Sequence, residues 1–127
     1  MDILKMIYDA LIGDEEIASQ ATGKIKFYEF PDSMTIGEGP YIIIEPLDVP
    51  TPSEFADDLY LKYDVLISIE TWSKNRSLTK SISDRIEIVM WDLGLVLSSG
   101  IDEYDENVFR IAKRFRGQLY REEIIGK

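Results

Sequence analysis

The sequence contains no cysteine and no histidine. Without cysteine there are no disulfide staples, no thiolate metal ligands and no thiol nucleophile. Without histidine the usual general base near neutral pH, the Ser–His and Cys–His pairs and the commonest zinc ligand are all missing, so any catalysis would have to run on carboxylates, lysine or tyrosine. Positive charge is also in short supply. Fourteen Lys and Arg stand against 24 Asp and Glu, a formal charge of −10, which repels polyphosphate and anionic membrane unless basic groups are locally concentrated. Long apolar runs are missing too. The opening MDILKMIYDALIG is broken by Asp2, Lys5 and Asp9 and is unlike a signal peptide, and no stretch approaches the roughly 18 apolar residues of a membrane span. The expectation is a soluble chain made in the cytoplasm, with no nucleic-acid or membrane partner and no cofactor.

What is present suffices for one domain. At 127 residues and 45 % hydrophobic content the chain can bury a core of its own, with no room for a second. Asp2 is placed to cap a helix in which Ile3, Leu4, Ile7, Tyr8 and Leu11 share a face, and Gly13 ends it. GDEEIASQATG reads as a connection in which Asp14 can cap a further turn. KIKFYEF and PYIIIEPL read as two strands forming an antiparallel pair, the three isoleucines of the second suiting a strand covered on both faces, with Pro46 ending its ladder.

Residues 48–58, DVPTPSEFADD, carry two prolines and four acids without a period and predict an exposed acidic loop. LYLKYDVLISIETW alternates clearly: Leu61, Tyr63, Val65, Ile67 and Ile69 face one way, and Lys62, Asp64, Ser68 and Glu70 the other, which predicts a strand with one solvated face. In NRSLTKSISDRIEIVMWDLGLVL, Ser77 is placed to cap a helix whose Leu78, Ile82, Ile86, Val89, Met90 and Leu93 form an apolar stripe. Ile88, Trp91 and Leu95 lie off that stripe and need another cover, either the first helix or a neighbouring subunit. Gly94 and then SSG loosen the chain before IDEYDE, read as a solvated hairpin turn. A final strand, VFRIAKRFRGQLYRE, places Phe109, Ile111, Phe115 and Leu119 on one face and Arg110, Arg114 and Arg116 on the other. The fold class that follows is α+β: a mainly antiparallel sheet of four to five strands packed by two or three helices.

Candidate chemistry is sparse. The acidic clusters Asp14-Glu15-Glu16, Asp57-Asp58 and Asp102-Glu103 with Asp105-Glu106 fall in polar connections and lack the spacing of a calcium loop, so solvated charge is the better reading. Gly37-Glu38-Gly39 lacks the third glycine and following helix of a phosphate-binding turn. Ser77 and Lys80 give a Ser-x-x-Lys spacing, a weak sign of a serine nucleophile with a lysine base. The basic final strand is the one concentrated feature. Its arginines serve either as gatekeepers on an exposed edge or as an interaction strip meeting carboxylates of an identical subunit, such as Asp57 and Asp58, in head-to-tail self-association.

Taken in order, YIIIE, the Pro-rich acidic loop, LYLKYDVLISIETWSKN, the helix SLTKSISDRIEIVMWDLG and RIAKRFRGQLYR resemble the tail-terminator, or tail-completion, proteins of long-tailed bacteriophages and prophages, chiefly over residues 40–121. The resemblance implies a non-enzymatic virion assembly protein without metal or cofactor. Such a protein forms a hexameric ring on the finished tail tube, ends its polymerisation and docks to the head–tail connector. An acidic lumen that does not grip passing DNA suits that role. It further implies subunit or tube contacts through Arg110, Arg114 and Arg116, and a reach to a neighbour or the connector through the loop from Asp48 to Asp58. A head-completion or stopper adaptor at the same junction, an acidic DNA mimic and a carboxylate-dependent hydrolase are the competing readings.

Overall fold

The computed structural model describes residues 3–29, 39–48, 51–52 and 62–120. Three helices, α1 (Ile3–Ile12), α2 (Glu15–Ala21) and α3 (Arg76–Asp92), accompany strands β1 (Ile25–Phe27), β2 (Tyr41–Pro46), β3 (Thr51–Pro52), β4 (Lys62–Ser73), β5 (Leu95–Asp105) and β6 (Val108–Tyr120). The strands form one mixed sheet in the order β1-β2-β4-β6-β5, with β3 added beside β4, so the fold is α+β as the sequence predicts.

The helix periodicities translate directly into burial. Ile3, Leu4, Ile7 and Leu11 of α1 are buried, as are Ile82, Ile86 and Met90 of α3. They share one core with Ile17 of α2, Ile42 and Ile44 of β2, Val65, Ile67 and Ile69 of β4, Leu95 of β5, and Phe115 and Leu119 of β6. The helices therefore cover one face of the sheet, and among the described residues no helix lies on the other. Asp14 caps α2, its Oδ2 accepting from the Ile17 amide at 3.1 Å. The cap of α3 is Asn75, accepting from the Leu78 amide at 3.0 Å, rather than Ser77. Asn75 has the extended backbone that a cap needs and that Ser77, already inside the helix, does not. The expected cap Asp2 lies outside the described residues.

Several expectations change. β1 and β2 pair parallel, with Ile25 opposite Ile42 and Phe27 opposite Ile44, not antiparallel. The intervening residues 28–40 are long enough to carry the chain back to the same end of the sheet, which a parallel pair requires. Ile42, Ile43 and Ile44 are all fully buried, as a strand covered on both faces should be. Within the predicted acidic loop, Thr51–Pro52 forms β3 against Tyr63 and Asp64; residues 53–58, with Asp57 and Asp58, lie outside the described residues. Ser98 to Asp105, read as a loosened chain and turn, belongs with Leu95-Val96-Leu97, read as the end of the helix segment, to an eleven-residue edge strand. The turn proper is Glu106-Asn107, at φ 49° and 67°, the left-handed pair that a two-residue hairpin demands.

Candidate functional site

The basic strand is an interior strand. β6 lies between β4 and β5, pairing with β4 from Phe109 to Tyr120 and with β5 from Val108 to Gly117. Its arginines cannot be edge gatekeepers; that place belongs to β5, whose exposed Asp102, Glu103 and Asp105 supply the charge an open edge needs. The expected alternation holds: Phe115 and Leu119 are buried under the helices, with Phe109 and Ile111 half-buried. Arg110, Arg114 and Arg116 belong to the helix-free face. Lys113 belongs to the helix face, where its ammonium meets Glu87 at 2.9 Å, Asp84 at 3.6 Å and the Ser83 carbonyl at 3.3 Å.

The three arginines differ in their surroundings. Arg110 is committed within the chain: its Nε lies 2.5 Å from Glu70 Oε1, and its NH1 2.6 Å from Glu103 Oε2. Trp72 donates its indole N–H to the same Glu70 oxygen at 2.9 Å, and the guanidinium carbon of Arg110 stands 5.8 Å from the centre of the Trp72 ring. The strand register builds this cluster, with Arg110 opposite Trp72 on β4 and opposite Glu103 on β5. The hydrogen bond to Glu70 raises the Arg110 pKa above its ordinary value despite burial, with the Glu70 and Glu103 charges adding to the effect. Glu70, assigned by alternation to a solvated face, has a side chain only 7 % exposed, and Ser68 beside it is buried. The helix-free face is thus dry along the row Ile43, Glu70 and Ala112, all three buried and in register. A buried carboxylate needs a cation and hydrogen-bond donors; Arg110 supplies the cation and Trp72 a further donor.

Arg114 and Arg116 are exposed, and neither guanidinium pairs with a carboxylate among the described residues. On the helix side, the second apolar patch expected from Ile88 and Trp91 is real and open. Ile88 is 48 % and Trp91 67 % exposed, so α1 does not cover them. With Glu87, Leu95, Val96 and Leu97 they line a groove of about 340 Å³ between α3 and β5. Leu95, grouped with that patch in the sequence reading, is fully buried at its floor. The edge strand contributed what the sequence reading missed: Leu95-Val96-Leu97 is a short apolar run that Ser98-Ser99-Gly100 cuts off, too short to signal a strand.

Ser77 and Lys80 are both exposed on α3, and the Lys80 ammonium faces Asp84 at 3.5 Å rather than the serine. Among the described residues there is no group of three or more Asp and Glu placed to hold a metal ion, and no helix long and apolar enough to cross a membrane.

No family model matches the sequence, and no curated protein matches it. The fold does have a counterpart. A chain from the virion of a native gene transfer agent (GTA) particle superposes with a TM-score of 0.60 at 17 % identity, covering 90 % of this chain and 91 % of that one. The coverage on both sides means that the likeness of fold extends over most of the chain.

Proposed function

We propose that this chain is a non-enzymatic structural protein of a phage-like virion that sits at the head–tail junction. There it caps the tail tube, ends its polymerisation and joins tail to head as a ring, hexameric by the resemblance drawn above. The observation that carries the reading is the match to a virion chain over 90 % of this chain's length, since it spans the whole domain rather than a recurrent fragment. The sequence resemblance of YDVLISIETWS and KRFRGQLYR to tail-terminator proteins narrows it from virion component to terminator. The surface suits assembly: an open apolar groove and an exposed arginine pair are two different patches on different faces, as a head-to-tail contact between identical subunits requires.

The test is tube growth. Purified tail-tube protein from the same genome is polymerised with and without this chain and viewed by negative-stain electron microscopy. Capping predicts arrested tubes with ring-shaped density at one end. Tubes that grow unaltered and carry no bound chain contradict the reading, and binding to a portal complex but not to the tube assigns the stopper role instead.

A further inference from the structure

We propose that the groove between α3 and β5 is the receiving half of a contact between copies of this chain, and that its occupant is the Arg114–Arg116 face of a second copy. The inference rests on the ring reading above and gives that ring its two contact surfaces.

The groove has the features of an interface centre. Trp91 and Ile88 form its helical wall, Val96 and Leu97 the strand wall, and all four are exposed. Tryptophan so placed is the side chain that most often dominates binding energy, and isolated soluble domains seldom leave such a patch open. Its surroundings are acidic. Glu87 lines the groove and Asp84 and Asp92 flank it on α3; Asp84 and Glu87 are already paired, with Lys80 and Lys113, so Asp92 and, on the helix-side face of β5, Asp102 are the carboxylates left for a partner among the described residues. An entering group should therefore be cationic and able to lie flat on an indole.

The chain carries that group itself. Arg114 and Arg116 project two residues apart from the opposite face of the sheet, without a carboxylate partner among the described residues. Guanidinium groups pair with carboxylates through paired N–H donors and stack on aromatic faces. The molecule already uses this combination once, internally, where Arg110 meets Glu70 and Glu103 over Trp72. Groove and arginines lie on different faces, so one copy offers its arginines forward and its groove backward. Such a heterologous contact propagates head to tail instead of stopping at a two-fold dimer, and gives a ring when the rotation between copies closes.

A charge-swap experiment tests the pairing. Two double variants, R114E/R116E and D92K/D102K, are compared with wild type by sedimentation velocity, alone and on purified tail tube, with circular dichroism as the check of fold. Each variant by itself should associate at least about tenfold more weakly. An equimolar mixture should recover association, because each then meets a surface of opposite sign. W91A should lose association to a similar degree. Variants that assemble like wild type, or a mixture no better than its components, overturn the proposed contact while leaving the ring reading intact if wild type still assembles. Wild type that stays monomeric both alone and on the tube overturns the ring reading, and the contact with it.

Discussion

At the residue scale, two ion pairs hold the architecture and behave differently. Glu70 is nearly inaccessible and depends on Arg110 and Trp72 for its compensation. Arg110→Ala should therefore destabilise the fold by about 3 kcal/mol or more, because it strands a buried carboxylate. The double replacement Glu70→Leu with Arg110→Met should restore most of the loss, since an apolar pair needs no compensation. Urea denaturation of the three variants reads this directly; a single Arg110→Ala variant as stable as wild type would contradict the assigned role. Asp14 works at a helix end. The hydrogen bond from Arg85 leads the causes that lower its pKa, with the Ile17 amide also contributing, against a smaller opposing effect of burial. A carboxylate whose folded pKa is depressed contributes stability that is complete above its ordinary value of 3.8 and is lost as pH falls through the folded value. The urea midpoint of wild type should thus fall more steeply below about pH 4 than that of Asp14→Asn, which has no charge to lose.

At the scale of elements, the tight passage from α3 into β5 sets the groove. Gly94 adopts φ +87° just after the helix, and Gly117 lies opposite Leu95, where an added methyl would fall against the Gly94 carbonyl and within 3.0 Å of the Leu95 side chain. Gly117→Ala should destabilise by about 1–3 kcal/mol through this overpacking. Thermal unfolding checks it, and an unchanged midpoint would mean that the turn tolerates the extra volume. The elements that were legible in the sequence are those whose burial follows a period: α1, the α3 stripe and the inward face of β4. β5 was not legible because ten of its eleven residues are exposed, so no alternation marks it, and serines with a glycine imitate a loop. β1 was paired with the right strand but in the wrong direction, because direction depends on the path of residues 28–40, which local pattern does not encode. Arg110 was legible by face but not by role, because its partner Glu70 is 40 positions away and appears in sequence as a solvent-facing acid. The groove was half legible: Ile88 and Trp91 stood out as lacking a cover, whereas its strand wall required β5.

At the scale of the whole molecule, the charge balance acquires a purpose under the proposed function. A chain at −10 gives a ring whose net field repels DNA passing through it, while its cations are used for protein contacts. Lys113 and Arg110 tie β6 to α3, β4 and β5, and Arg114 and Arg116 are left for a partner. The same molecule should bind double-stranded DNA negligibly at moderate salt; a filter-binding signal that falls with rising salt, as phosphate contacts do, would contradict this. The central claim is assembly into a ring on a tail tube, and native mass spectrometry tests it most directly. The chain is measured at rising concentration, alone and mixed with tail-tube protein from the same genome. The account predicts closed oligomers of one size, hexameric on the tube and absent or weaker without it. A chain that remains monomeric at every concentration and forms no complex with the tube would contradict it.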